Sequence, residues 1–262
     1  MIRRSSDHGD ISFVVEELRL AGYAAFWVLV LTGAVLTRLY GHVDMHDTVL
    51  TRVFGYNNIC VFFDYPPATY VLPFLWAITL AMLLCYLAAQ WLQMRAEVEQ
   101  GALSQGLYRL LTRLKLFEAT MLAAFSTIFA VQPDDWDHTL FIHTAPFFLL
   151  QIGLVSLAVS NTVHGIKTGY WRSLALPSWF IPGAKVYVAA LVVIVCLKIP
   201  LAINAMAAGI WWENTPTVAG VAHVVDVLFL IAAAIIPMLK AAYFVWGRRD
   251  RLKVVRLTTR TV

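Results

Sequence analysis

KLFEATMLAAFSTIFAVQPDDWDHTLFIH, from Lys115 to His143, is the stretch that decides the fold. An apolar run carrying one acid, Glu118, ends in a short acidic turn, Asp134–Asp135–Trp136–Asp137. A second apolar run follows, with His138 and His143 near its start. Two hydrophobic spans joined by a few polar residues read as a membrane hairpin, because only a helix satisfies its own backbone groups in hydrocarbon one segment at a time. Ionisable groups inside such spans are costly and must face the bundle interior or water, so Glu118 and the histidines are the first functional hint.

The rest of the chain repeats the pattern. Of 262 residues, 60% are hydrophobic and only 14% charged, with a mean hydropathy of +0.71; soluble domains carry about 25% charged residues. The apolar surplus lies in runs of roughly 20 residues, the length that crosses a hydrocarbon core. A membrane β-barrel needs short alternating segments instead. The predicted fold is therefore all-α: a polytopic membrane protein built as a six-transmembrane-helix bundle. Its spans fall at roughly 20–40, 68–93, 108–131, 139–163, 184–210 and 217–247, between a polar tail (1–19) and a basic tail (248–262). Cys60, Cys85 and Cys196 are too scattered for a disulfide framework; Cys85 and Cys196 are expected to pack within spans as small apolar residues.

Lysine and arginine placement orients the bundle. Arg3, Arg4 and Arg19, then Arg95, Arg109, Arg113 and Lys115, then Lys167, Arg172 and Lys185, and finally Arg248, Arg249, Arg251, Lys253, Arg256 and Arg260 fall on one side. Only Arg38 and Arg52 lie near the other, which carries Asp44, Asp47, Asp64, Asp134, Asp135, Asp137 and Glu213. Both termini are thus predicted on the positive, cytosolic or matrix-like side, and an odd span count would break that agreement. The basic pI near 9.0 belongs to these membrane flanks, and no nucleic-acid partner is expected.

Residues 1–19 do not read as a cleaved signal peptide, and no presequence is expected to have been removed. Ile11–Leu20 reads either as a short interfacial helix or as a flexible tail, and ordered tails would need partners or lipids to hold them. Connection one (about 41–67) is aromatic enough to form an ordered cap, and GYWRSLALPSWFIPG in connection four carries the rings that anchor at headgroup level. Pro73, Pro146, Pro200 and Pro237 are expected to kink four spans.

Six ionisable residues fall well inside spans: Glu118, His143, Lys198, His223, Asp226 and Lys240. Glu118 and Lys198 come out at one depth, so they are expected to pair and offset much of their burial cost, as a register-fixing ion pair or as a proton relay. His223 and Asp226, three apart, share a helix face in the outer half, where Asp226 is expected to hold the tautomer of His223 or His143. A haem would need facing histidines; His143 and His223 are the one pair at similar depth, and the four-histidine pattern of b-type membrane cytochromes is missing. On the outer surface His42, Asp44, His46, Asp134, Asp137 and His138 combine oxygen and imidazole donors, a possible metal set similar to the Asp-and-His cluster of membrane copper monooxygenases. The plainer alternative is a solvated acidic rim in which Asp134 or Asp135 caps span four.

The order of Pro66–Pro67 with Tyr70, Glu118, the Asp134–Asp137 turn with His138, and Asp226 resembles the Frag1/DRAM/Sfk1 family of six-span proteins. The similarity is closest over Leu116–Phe148. The chain departs from the family pattern before Pro66, where only Phe63–Asp64–Tyr65 stands, and in the position of the span-six acid. The resemblance implies cytosolic termini and a role in lipid distribution, glycolipid-anchor processing or autophagy-linked membrane regulation, and names no nucleophile.

Three readings of function follow. The preferred one is a non-catalytic accessory or scaffold subunit of a larger membrane protein complex, with membrane lipids and other subunits as partners. The second is a lipid-distribution regulator of the Frag1/DRAM kind. The third is a metal-dependent membrane oxidoreductase using the outer Asp/His cluster. No cofactor is expected beyond bound lipid, with a metal as the alternative, and an organellar or endomembrane location is anticipated.

Overall fold

The structure, a computed structural model, describes residues 3–4, 11–131, 138–208 and 216–257. It is predominantly helical. α1 (Val15–Tyr40) leads through two short helices of connection one, α2 (Val49–Phe54) and α3 (Val61–Asp64), into α4 (Ala68–Glu99). α5 (Gln105–Ala124) continues as a 3₁₀ segment over Phe125–Ala130. α6 (His138–Lys167), the short α7 (Tyr170–Ser173) and α8 (Phe180–Ala208) follow. α9 (Pro216–Leu230) runs through a π turn at Ile231–Ile235 into α10 (Ile236–Gly247). Five of these helices (α1, α4, α6, α8 and the α9–α10 pair) are long and apolar enough to cross a membrane. An integral membrane protein is the consistent reading.

Several helices outrun the predicted spans. α1 starts at Val15 and α4 continues to Glu99. Hydropathy falls at Glu16, Arg19, Gln90, Gln93 and Glu97, yet all five side chains are buried against polar partners. Their polarity ends the apolar run without ending the helix.

The tails bring a correction to the reading of Ile11–Leu20. Ile11–Val14 is a strand, and not the start of an interfacial helix or a loose tail. It pairs antiparallel with Arg3–Arg4 on one side and Val254–Leu257 on the other, Ile11 facing Leu257 and Val14 facing Val254. Both segments are rich in β-branched or aromatic residues, with one polar residue each, and Phe13 is buried, so a strand suits them better than a helix. The segment before α1 and the segment after α10 therefore lie at the same end of the bundle, and the tails hold each other.

α1 packs against α4 and α10, α5 against α4 and α6, and α6 against α8. Connection one is a folded cap, as its aromatics predict. Thr48 caps α2 reciprocally with Thr51, the backbone N–H of each donating to the other's hydroxyl at 3.0 and 2.8 Å. Gly55 ends α2 in the left-handed region at φ 79°. The cap seats closely on α1 because residue 33 is glycine: a Cβ there would sit 2.7 Å from the Phe62 carbonyl oxygen. Below the cap, Phe125 meets Trp76 edge-on at 4.7 Å and Phe63 at 6.1 Å. Cys60 is buried here, whereas Cys85 and Cys196 are exposed on the bundle surface instead of packed inside it. Pro237 lacks the N–H that would close the helix, and the π turn just before it absorbs the mismatch.

Candidate functional site

The buried polar residues described below separate into four groups, and the expected Glu118–Lys198 pair is not one of them. Glu118 is bound by its own neighbour: the Lys115 ammonium donates to its Oε2 at 2.8 Å, to Ser160 Oγ at 2.8 Å and to Asn161 Oδ1 at 3.3 Å. The hydroxyls of Ser160 and Ser156 donate to the other carboxylate oxygen of Glu118 at 2.7 and 3.1 Å. By sequence Lys115 counts among the flanking basic charges, but one helical turn from Glu118 it turns inward. Asn161 extends the group by accepting from Gln90 at 2.5 Å and from Tyr86 at 3.0 Å. Arg19, ion-paired with Glu16 at 2.8 Å, donates to the Tyr86 hydroxyl at 3.0 Å. Four helices, α1, α4, α5 and α6, are thus tied together at the basic half of the bundle.

A neighbouring latch holds the C-terminal tail. Glu97 accepts from His164 at 2.5 Å, from Gln93 at 3.0 Å and from Lys253 at 2.9 Å, so α4, α6 and the residue before the Val254–Leu257 strand meet on one carboxylate. None of Glu97, His164 or Lys253 is singled out by the sequence, where all three lie among loop-side polar residues.

His143 belongs to the cap and not to Asp226. Its Nδ1 lies 2.7 Å from the Val131 carbonyl, which can only accept, so Nδ1 carries the proton. Its Nε2 faces Asp64 at 2.9 Å. Burial pushes the Asp64 carboxyl above its ordinary range, and His143 partly offsets that. The pair pins α3 to α6.

The fourth group is the candidate site. Lys198 from α8 forms an ion pair with Asp226 from α9. The hydroxyl of Tyr56, carried by the cap, donates to the second Asp226 oxygen at 2.8 Å, and its ring stacks on His223 at 4.8 Å and 11°. The Lys198 ammonium also sits 5.3 Å from the ring centres of Phe147 and Phe229. Asp226 therefore holds the cap tyrosine, and His223 is fixed by stacking. Behind the pair, a small cavity of about 20 Å³ has Lys198, Asp226, Thr144 and Gln151 in its lining. The Gln151 side chain is fully buried and has no hydrogen-bond partner among the described residues. The cavity has room for one water between Gln151 and the ion pair.

In front of the pair, a cleft of about 750 Å³ opens between α1 and α9 under the cap. Its walls are mostly apolar, from Phe26, Trp27 and Leu31 to Leu230, while Arg38, His46, Tyr56, Lys198, His223 and Asp226 supply the polar lining. Arg38 stands with its guanidinium 5.7 Å from the Phe62 ring and no carboxylate within 4 Å among the described residues. An apolar cleft with a few convergent polar groups at one depth suits an amphiphile.

The outer metal set does not assemble in what is described. His42, Asp44 and His46 are exposed, and Asp44 accepts from the His46 backbone at 2.8 Å, a local turn contact. Among the described residues no three His, Cys, Asp or Glu converge on one point. Asp134, Asp135 and Asp137 lie outside the described residues, as does the side chain of His138. Likewise His143 and His223 do not face each other: one is held by Asp64, the other by Tyr56.

Comparison of the chain with family models, with curated proteins and with solved structures finds no match.

Proposed function

We propose that this is a six-span integral membrane protein, with both termini on the cytosolic or matrix-like side, that holds a membrane lipid in its outer cleft and acts as a non-catalytic, lipid-handling component of a larger membrane assembly. The span count is supported by the terminal sheet. Segments flanking the first and last helices share one end of the bundle, so the number of crossings is even, and five apolar helices leave one to find. α5 with its 3₁₀ continuation supplies it. Twenty α-helical and six 3₁₀ residues reach about 42 Å, against a hydrocarbon core of about 30 Å. Its low hydropathy comes from Arg109 and Arg113 at the basic end and from Lys115 and Glu118, which neutralise each other internally.

The observation that carries the lipid reading is the outer cleft, where apolar walls meet a polar rim that includes Arg38, which has no carboxylate partner among the described residues. The resemblance to Frag1/DRAM/Sfk1 proteins points the same way, toward control of lipid distribution. The assembly part rests on α8, whose apolar stretch is only 17% buried when every other apolar helix reaches 33% or more. That face is available to a neighbouring transmembrane helix.

Native mass spectrometry on protein extracted in mild detergent tests the lipid reading. Wild type is expected to retain phospholipid, and Ala34→Trp, which fills the cleft wall, is expected to retain one molecule fewer. Equal retention by both proteins refutes the outer site. Crosslinking from Val193 on α8 in intact membranes tests the assembly reading, which fails if only lipid adducts form.

A further inference from the structure

A second cavity, at the basic end, is separate from the outer cleft. It has a volume of about 560 Å³ and is walled by Ala158, Phe180, Ala184, Ile236 and Leu239 with Tyr187 and Tyr243. Two cations face it, Arg19 and Lys240. Arg19 is neutralised by Glu16 at 2.8 Å. Lys240 is not neutralised: among the described residues no carboxylate comes within 4 Å of its ammonium and no hydrogen bond reaches it, and its one close contact is the Trp171 ring at 5.1 Å. An intramembrane lysine without a counter-ion is costly and calls for an anion. Neutral polar groups, Asn161 and Thr162, complete the lining without adding charge.

Depth argues for where that anion comes from. Lys240 lies seven residues before the end of α10, about 10 Å along the axis. Trp179 and Tyr243, both exposed, flank the mouth where aromatic rings settle at the headgroup level. The platform beneath Lys240 is built in as well. Gly165 on α6 lets the Trp171 ring lie flat on the helix, since a Cβ there would fall 2.3 Å from it. The apolar walls continue from the cation toward the bilayer centre along α8 and α10, as an acyl chain would.

We propose that the cavity between α1, α6, α8 and α10 binds an anionic phospholipid of the basic-side leaflet, its phosphate paired with Lys240 and an acyl chain lying between α8 and α10. A bare lysine that merely extends to the interface along an apolar stem is the competing account, and it predicts no lipid preference.

The test uses the full-length protein in detergent, titrated with phosphatidylglycerol or phosphatidylcholine and read by native mass spectrometry. Phosphatidylglycerol is expected to bind about fivefold more tightly, the effect of one interfacial cation, with the preference lost in Lys240→Gln and kept in Lys240→Arg. Equal binding of the two lipids, or an unchanged preference in Lys240→Gln, overturns the proposal. Displacement of bound phosphatidylglycerol by millimolar inorganic phosphate would assign the site to free phosphate and overturn the lipid. If Lys240→Gln does not fold, Gly183→Trp decides. A Cβ at Gly183 meets nothing closer than 3.6 Å, so the indole fills the cavity with every charge retained, and undiminished phosphatidylglycerol binding refutes the site. Ala34→Trp, in the other cleft, should leave this preference intact, so the two sites fail independently.

Discussion

Replacing Glu118 by Gln removes one charge from a buried ion pair and leaves the other behind. Glu118 is 0% exposed and the Lys115 side chain 5%. The carboxylate accepts three hydrogen bonds, from Lys115, Ser156 and Ser160. In Glu118→Gln the Lys115 ammonium keeps only neutral acceptors, Ser160 and Asn161. Removing one partner of a buried pair costs about 3–5 kcal/mol, most of it the penalty for the stranded charge. Neutralising both, in Lys115→Met with Glu118→Gln, removes that penalty. What remains is the loss of the Lys115 donor to Ser160 and Asn161, about 1–3 kcal/mol. The double variant should therefore be more stable than Glu118→Gln alone, by about 2 kcal/mol. Equilibrium unfolding in mixed micelles, followed by circular dichroism, measures all three proteins. The reasoning is refuted if Glu118→Gln unfolds within about 1 kcal/mol of wild type, or if the double variant is no more stable than the single. A mild single variant would instead mean that water reaches Glu118, as a proton relay requires.

Three other expectations are open to direct measurement. Glu97→Gln should release Lys253 and His164, so amide exchange in Val254–Leu257 should accelerate with little change in α4; an unchanged exchange rate would show that the sheet alone holds the tail. Gly165→Ala drives a methyl group into the Trp171 ring and should destabilise by about 1–3 kcal/mol with a shift in tryptophan emission, whereas an unperturbed protein would mean that α7 moves freely. On the outer surface, Arg52 holds the Asp47 carboxyl below its usual range through paired bonds of 2.7 and 2.9 Å. Because the folded value is depressed, this contribution to cap stability is present above the unfolded pKa of about 3.9 and is lost as pH falls through the folded one. Carboxyl NMR should see Asp47 titrate higher in Arg52→Gln, and an unmoved titration would sever the link.

Reading the chain against its fold shows which physical signals are local. Hydropathy is summed along a segment, so the apolar helices and the ordered aromatic cap are legible from Phe26, Phe74 or Val192 and their neighbours alone. The membrane assignment needs nothing more. The candidate site was legible as a set of residues: Lys198, His223 and Asp226 stand out because a charge within an apolar run is rare. Their partners were not. Counting along the spans puts Lys198 and Glu118 at one depth, but Glu118 lies level with Ser156 and Ser160 of α6 and Lys198 level with Phe147, about three turns away, so Lys198 meets Asp226 while Glu118 meets Lys115. Tyr56 and Asp64 reach their partners only because the cap folds back over the helices.

The tails show the limit from the other direction. Ile11–Val14 and Val254–Leu257 each suit a strand by local pattern, but a strand forms only when its partner is present, and that partner lies at the far end of the chain. The cavity at Lys240 is similar: the sequence marks the lysine, and only the packing of α1, α6, α8 and α10 leaves it without a counter-ion beside an open space. Composition and hydropathy by themselves determined that the chain is a helical membrane protein, because transfer free energy adds up along a segment. The tertiary structure decided which charges meet, because pairing acts over a few ångströms between residues that the chain order keeps far apart.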